Sequence, residues 1–268
     1  MAIGGLGFVN QVNRTNTAVS SSIQKIASGS QRPSAKYGAS SYAIAARMSS
    51  NIGAAVQSRR NAQTANSMMN VASGAVSSTV DALTSIRSQI LQAANGTNQG
   101  SDVAAISQSI SQSISTINDN AAVEYNGMRL MDGSRSVTVA GSNGYNTLNL
   151  GNISSQGLGL TDSQGNITLD LSSPQGIQSA LNTVDSALDS ALGMATDIGA
   201  AQQGLSFSED NYTTMQASLT EALSTEDDTD IAAEVTRLRS ADTQNQLALH
   251  AQKMYMHNSA QVLSLLPQ

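Results

Sequence analysis

Two long heptad-patterned runs, set at opposite ends of the chain, constrain the fold more than any other feature. From Ile44 to about Asn98 there is no proline, and apolar residues recur at alternating steps of three and four. The stripe is Ala62, Ala65, Met69, Ala72, Val76, Thr79, Leu83, Ile86, Ile90 and Ala93, with Thr79 its one polar member. Met48, Ile52 and Ala55 read as out of step, which places a stutter near Arg59 to Ala62. At 1.5 Å per residue this helix is roughly 80 Å long. A rod of that length cannot cover its stripe without a partner of similar length.

That partner begins after Ser173-Pro174, an N-cap followed by an N1 proline. Ile177, Leu181, Val184, Leu188, Ala191, Ala195, Ile198, Gln202, Leu205, Glu209, Tyr212, Gln216, Leu219 and Leu223 follow at the same spacing, over roughly 70 Å. The polar Gln202, Glu209 and Gln216 fall seven apart and read as a register-setting or partly exposed layer. The residues expected to pack the rods are Met69, Val76, Leu83, Ile86 and Ile90 against Leu181, Val184, Leu188, Ile198, Leu205 and Leu219.

Between the rods lies a shorter helix with Val103, Ile106, Ile110, Ile114 and Ile117 on one face. From Tyr125-Asn126-Gly127 to about Leu171 the chain turns rich in Gly, Asn and Ser. The alternating runs Val137–Val139, Leu148–Leu150 and Ile167–Leu171 predict small β-hairpins there, at the far tip of the rods. The fold class is therefore mainly α: long antiparallel helical rods in a coiled-coil bundle, with a small β-hairpin region mid-chain. The expected segments are 1–40, a terminal helix and linker; 41–131, rod helices; 132–172, hairpins and turns; 173–225, the returning rod; and 226–268, a second terminal helix. Segments 1–40 and 226–268 form one discontinuous domain and 41–225 the other.

Neither residues 1–13 nor 254–268 carry a charged side chain, yet both ends are amphipathic. Leu6, Val9, Val12, Val19, Ile23 and Ile26 mark one apolar face. Ile231, Val235, Leu238, Leu249, Met256, Leu263 and Leu266 mark the other. Breaks fall at Gly29 to Tyr37, where Pro33 stops a helix, and at Glu226-Asp227-Asp228, whose charge favours a helix start. Uncharged amphipathic ends are weakly stable alone and suit segments that order when many copies pack together.

Composition excludes several functions. Charged residues are 12% of the chain, against about 25% in an ordinary domain, and aromatics are 3%. That favours slender helices over a thick enzyme-like core. A net charge of -6 with scattered basic residues argues against nucleic acid. With no cysteine there is no disulfide, thiol nucleophile or thiolate metal site. His250 and His257 stand seven apart rather than at the four-residue spacing of a helical metal site. The carboxylates Glu226, Asp227, Asp228 and Asp230 read as helix capping, and no P-loop, dinucleotide fingerprint or nucleophile elbow occurs. No catalytic, cofactor or metal residue is expected. The N-terminal sequence lacks a Sec signal pattern, and no run approaches the roughly 20 apolar residues of a membrane helix.

The segment Ser22-Ile23-Gln24-Lys25-Ile26-Ala27-Ser28-Gly29-Ser30-Gln31-Arg32 followed by Ser34-Ala35-Lys36 resembles the bacterial flagellin pattern L-x-x-L-S-S-G-x-R-I-x-S-A-K. Ala43–Arg47, Arg60–Ala62, Gln92–Asn98 and Tyr125–Met131 resemble further flagellin blocks, as do Ile231–Val235 and Val262–Leu266 at the other end. The resemblance implies a subunit of a helical filament, with the terminal helices in an inner tube and the paired rods in the next shell. It implies secretion through the flagellar type III route and assembly with copies of itself. An export chaperone on about 231–266, a cap and hook-associated proteins are implied as further partners. Two departures stand out. Tyr37-Gly38-Ala39-Ser40-Ser41 replaces the usual Asp-Asp-Ala-Ala-Gly. Ser85, Gln89 and Ser109 stand where flagellins that activate the vertebrate Toll-like receptor carry Arg, Leu and Glu, so weak recognition is implied even though Arg87 is kept. A hook–filament junction protein is the nearest alternative, and a chemotaxis-receptor-like signalling hairpin an alternative from another class. Residues 126–171, Gly-rich and β-patterned, count against the latter.

Overall fold

The computed structural model describes residues 2–134, 136–142 and 144–264, and the side chains of 7–134, 136–142 and 144–261. Its elements in chain order are α1 (Ala2–Ser28), a 3-10 turn (Ala35–Tyr37), α2 (Ala39–Ala93), α3 (Gly100–Ala121), β1 (Glu124–Tyr125), β2 (Met128–Arg129), β3 (Ser136–Gly141), β4 (Gly144–Asn149), α4 (Pro174–Asp227) and α5 (Ile231–Ser264). The chain divides into two compact units, Gly53–Gln216 and the remainder.

In the Gly53–Gln216 unit every member of the α2 stripe from Ala62 to Ala93 is buried. Thr79 keeps its place by satisfying its hydroxyl, which donates to the Ala75 carbonyl at 2.9 Å and accepts from Asn120 Nδ2 at 3.3 Å. Ile110, Ile114 and Ile117 of α3 join Leu83, Ile86, Ile90 and, from α4, Val184, Ala187 and Ala191 in one core cluster. A second cluster holds Met69, Ala72, Val76, Met131, Leu150, Ile153, Ile198 and Leu205. α3 starts with the Asp102 carboxylate accepting from the Gln99 backbone N–H, and α4 with the Ser173 hydroxyl accepting from Gly176 N–H.

Four expectations need correction. The register break in α2 falls just before the expected place: Ala45, Met48, Ile52 and Ala55 are covered at steps of three, four and three, and a second step of three, from Ala55 to Ser58, precedes the regular stripe from Ala62. Ser58, small and polar but buried, is the position at which the two registers join, and apolar counting overlooks it. On α4, Ala195 is exposed; the buried line runs Ala180, Val184, Ala187, Ala191, Ile198 and Leu205, with Met194 half-buried. Ile167–Leu171 forms no strand, only a single bridge between Thr161 and Ile167. Finally, the β3–β4 hairpin is not at the tip. Val137 pairs with Leu148 as the patterning requires, but the hairpin lies back along α2 and α4. Asn61 Nδ2 donates to the Ala140 carbonyl at 2.9 Å. A Cβ on Gly141 would run into the Tyr212 hydroxyl, so glycine lets that ring lie close against the hairpin. The smaller hairpin turns through Asn126 and Gly127, both at positive φ, the requirement of a two-residue I′ turn.

Candidate assembly surface

α1 and α5 pack as an antiparallel pair, Phe8 opposite Tyr255, Asn16 opposite Asn245 and Ser22 opposite Glu234. On α1 the covered positions are Phe8, Val12, Thr15, Val19, Ser22 and Ile26, at alternating steps of four and three. On α5 they are Glu234, Leu238, Ala241, Asn245, Ala248, Gln252 and Tyr255, with the same alternation. The seam is thus a heptad pairing whose buried members are Thr15, Ser22, Glu234, Asn245 and Ala248. Sequence reading of apolar faces missed these polar members; their seven-residue offset from Phe8 (Thr15, Ser22) and from Leu238 (Asn245) was the available signal.

Each buried polar group on this seam has a partner. Ser22 Oγ donates to Glu234 Oε1 at 2.7 Å, while Arg237 holds Oε2 at 3.0 Å. These bonds, with the positive charge of Lys25 and Arg237, keep the Glu234 carboxyl below its ordinary range despite the opposing effect of burial. Thr15 returns its hydroxyl to the Gln11 and Val12 carbonyls, and Asn245 Nδ2 donates to Asn16 Oδ1.

Because polar and small residues fill the seam, apolar side chains are left outside it. Val9, Ile23, Ile231, Leu247, Leu249, Met254 and Met256 are exposed, Leu247 and Met256 at 64%. Of the residues expected to build an inner core, Val12, Val19, Ile26 and Leu238 lie half-buried on the seam and Val235 half-buried one position off it. Val9, Ile23, Leu249 and Met256 are uncovered. Leu263 and Leu6, as side chains, and Leu266 fall outside the described residues. The rod residues Met69, Val76, Leu83, Ile86, Ile90, Val184, Ile198 and Leu205 are buried and Leu181 and Leu188 half-buried in the two core clusters, whereas Leu219 is in neither.

The segment that follows α1 clasps the end of α4 and the residues just after it. Gly29, at φ 70°, ends α1 and accepts from Thr229 N–H; Gln31 N–H donates to the Asp227 carbonyl at 2.6 Å. Arg32 Nη2 reaches both the carbonyl and the carboxylate of Glu226, at 2.6 and 2.7 Å. The Ser41 hydroxyl and then Arg32 hold the Glu226 carboxyl below its ordinary range. The acidic cluster therefore has a different job from the one its position suggested. Asp230 alone caps α5, accepting from Ala233 N–H, while Glu226 and Asp227 bind Arg32 and Asp228 bonds Ser224.

Ser85 and Ser109 are exposed, and Gln89 bonds back to Ser85 along α2. Arg87 is tied by its Nε to Asp185 at 2.7 Å. Among the described residues no helix is long and apolar enough to cross a membrane.

Comparison with known proteins matches the same segments. The family model described as the bacterial flagellin N-terminal helical region covers residues 6–136, and that of the bacterial flagellin C-terminal helical region covers 181–266. A flagellin of Escherichia coli O127:H6 is 36% identical over 155 residues, 56% of this chain and 28% of that protein. The chain thus spans well under half the length of this relative. The flagellar filament 30.7 kDa core protein of Treponema maltophilum is 28% identical over 253 residues, covering 88% of this chain and 89% of that one. The solved structure described as a flagellar hook-associated protein from Vibrio parahaemolyticus shares the fold, with a TM-score of 0.59 at 15% identity over 71% of this chain and 99% of its own.

Proposed function

The chain belongs to the bacterial flagellin family, and from that premise we propose that it is a structural subunit of the flagellar filament, polymerising through its terminal helices into a hollow tube that serves swimming. The observation that carries this reading is the α1–α5 pair, whose most buried seam positions are polar or small while its outward faces expose Val9, Ile23, Leu247, Leu249, Met254 and Met256. An apolar surface of that kind is covered when copies pack side by side. Flagellins form a structural family, and the filament lies outside the cell, so the protein is secreted. The match to the Treponema filament core protein, over 88% of this chain and 89% of that one, supports a filament subunit.

In this reading the terminal helices line the central channel and the rods of the Gly53–Gln216 unit form the next shell. An export chaperone takes the α5 region before secretion, and cap and hook-associated proteins bound the filament at its ends. Toll-like receptor recognition is weak. Ser85, Gln89 and Ser109 offer neither a large anchor nor a carboxylate, and Arg87 is already paired with Asp185. A cell reporter responding to sub-nanomolar protein would overturn that statement.

The test of the function is negative-stain electron microscopy of purified protein after acid or heat dissociation and addition of ammonium sulfate. Long tubes support the filament subunit. Persistent monomers or short caps overturn it in favour of a junction protein.

A further inference from the structure

The Gly53–Gln216 unit carries an exposed large aromatic and, on a different face, an open apolar groove. Phe207 of α4 is 71% exposed. At 100° per residue it points about 200° away from Leu205, which is buried in the core. Asp210, three residues on and also exposed, lies beside it on the same outward face.

The groove lies between α2 and the two hairpins. Its apolar walls are Ala65, Met68, Tyr125, Met128, Val137 and Val139, and its volume is about 340 Å³. No carboxylate lines it. Arg60 is exposed one turn before Thr64, which lines the rim. Among the described residues neither Arg60 nor Asp210 has an ion-pair partner. Methionines such as Met68 and Met128 make adaptable walls and favourable sulfur contacts with an aromatic ring.

We propose that Phe207 of one chain seats in this groove on a second copy, with Asp210 of the first facing Arg60 of the second. The inference rests on the filament reading and names a contact that would join neighbouring rods. Opposite charges flank the two halves, which fixes how they meet. Knob and groove sit on different faces of the same unit, so the contact is heterologous: every copy offers one of each, and the chain of contacts continues rather than closing on a pair.

The native absence of cysteine makes the test direct. Phe207→Cys and Thr64→Cys chains, mixed in equal amounts and polymerised with ammonium sulfate, are treated with a short bismaleimide. The expected result is a covalent dimer in the mixed filaments and none in filaments of either variant alone. Separately, Phe207→Ala raises the critical concentration for assembly about tenfold, with the circular dichroism of the monomer unchanged. Asp210→Arg and Arg60→Asp each reduce assembly, and the two together restore it. Filaments that form without the mixed dimer, or whose critical concentration ignores Phe207→Ala, overturn the contact while leaving the filament function standing. A cross-link within a single variant overturns the heterologous geometry. A wild-type chain that never polymerises overturns the function and this contact with it.

Discussion

The Ser22 hydroxyl donates a 2.7 Å hydrogen bond to Glu234 Oε1, joining α1 to α5 where both side chains are buried. A buried carboxylate on a helix–helix seam favours one register, because a slip takes the Ser22 donor away and leaves only Arg237 of its own helix. Glu234→Ala should therefore weaken the pair by about 1–3 kcal/mol, whereas Glu234→Gln, which still accepts from Ser22, should cost less. Amide hydrogen exchange across α1 and α5 in assembled protein reads this directly. Equal protection in all three chains would contradict it.

Acid should loosen the same pair. Glu234 is held below the ordinary glutamate value of 4.5 by Ser22, Arg237 and Lys25, and Glu226 by Ser41 and Arg32. A depressed folded-state value means the stabilisation is complete above the unfolded value and is lost as pH falls through the folded one. Protection of α1 and α5 should be flat from pH 7 to about 5 and fall below that. In Glu234→Gln the fall should be shallower. Loss on raising the pH instead would contradict the assignment.

The hairpin is tied to α4 by the fit of Gly141 under Tyr212. Gly141→Ala should push the Tyr212 hydroxyl aside and destabilise the Gly53–Gln216 unit by about 1 kcal/mol, and Tyr212→Ala should relieve part of it. Thermal unfolding of the two single variants and the double variant measures the coupling. Strict additivity would show that the two residues do not meet.

Buried and exposed apolar residues should separate cleanly. Leu83 is fully buried, so Leu83→Ala should cost about 2–5 kcal/mol in unfolding. Leu247 is 64% exposed, so Leu247→Ala should leave the monomer's unfolding nearly unchanged while reducing polymer yield. Calorimetry of monomer and sedimentation of polymer check both halves. A large loss of monomer stability in Leu247→Ala would mean that the face is covered within one chain.

The helical framework was legible because its signals were local and periodic. Ala62 to Ala93, the Ser173-Pro174 start and the Gly29 break each depend on residues close in sequence. Features set by distant partners were not legible. Thr79 looked like a flaw until Asn120 of α3 supplied its hydrogen bond. Glu226 looked like a cap for α5 until Arg32 was seen to bind it. Apolar counting finds Val12, Val19, Ile26 and Leu238 of the α1–α5 seam but not Thr15, Ser22 and Asn245, which only the pairing inside one chain buries. The hairpin was placed at the tip for want of any local signal that Ala140 and Gly141 would return to Asn61 and Tyr212.

The central claim is that the exposed faces of α1 and α5 are covered by neighbouring copies. Methionine oxidation by peroxide, read by mass spectrometry in monomer and in polymer, tests it most directly. Met254 and Met256, 55% and 64% exposed, should oxidise readily in the monomer and be protected in the polymer, while the fully buried Met69 stays protected in both. Equal oxidation of Met254 and Met256 in the two states would contradict the account.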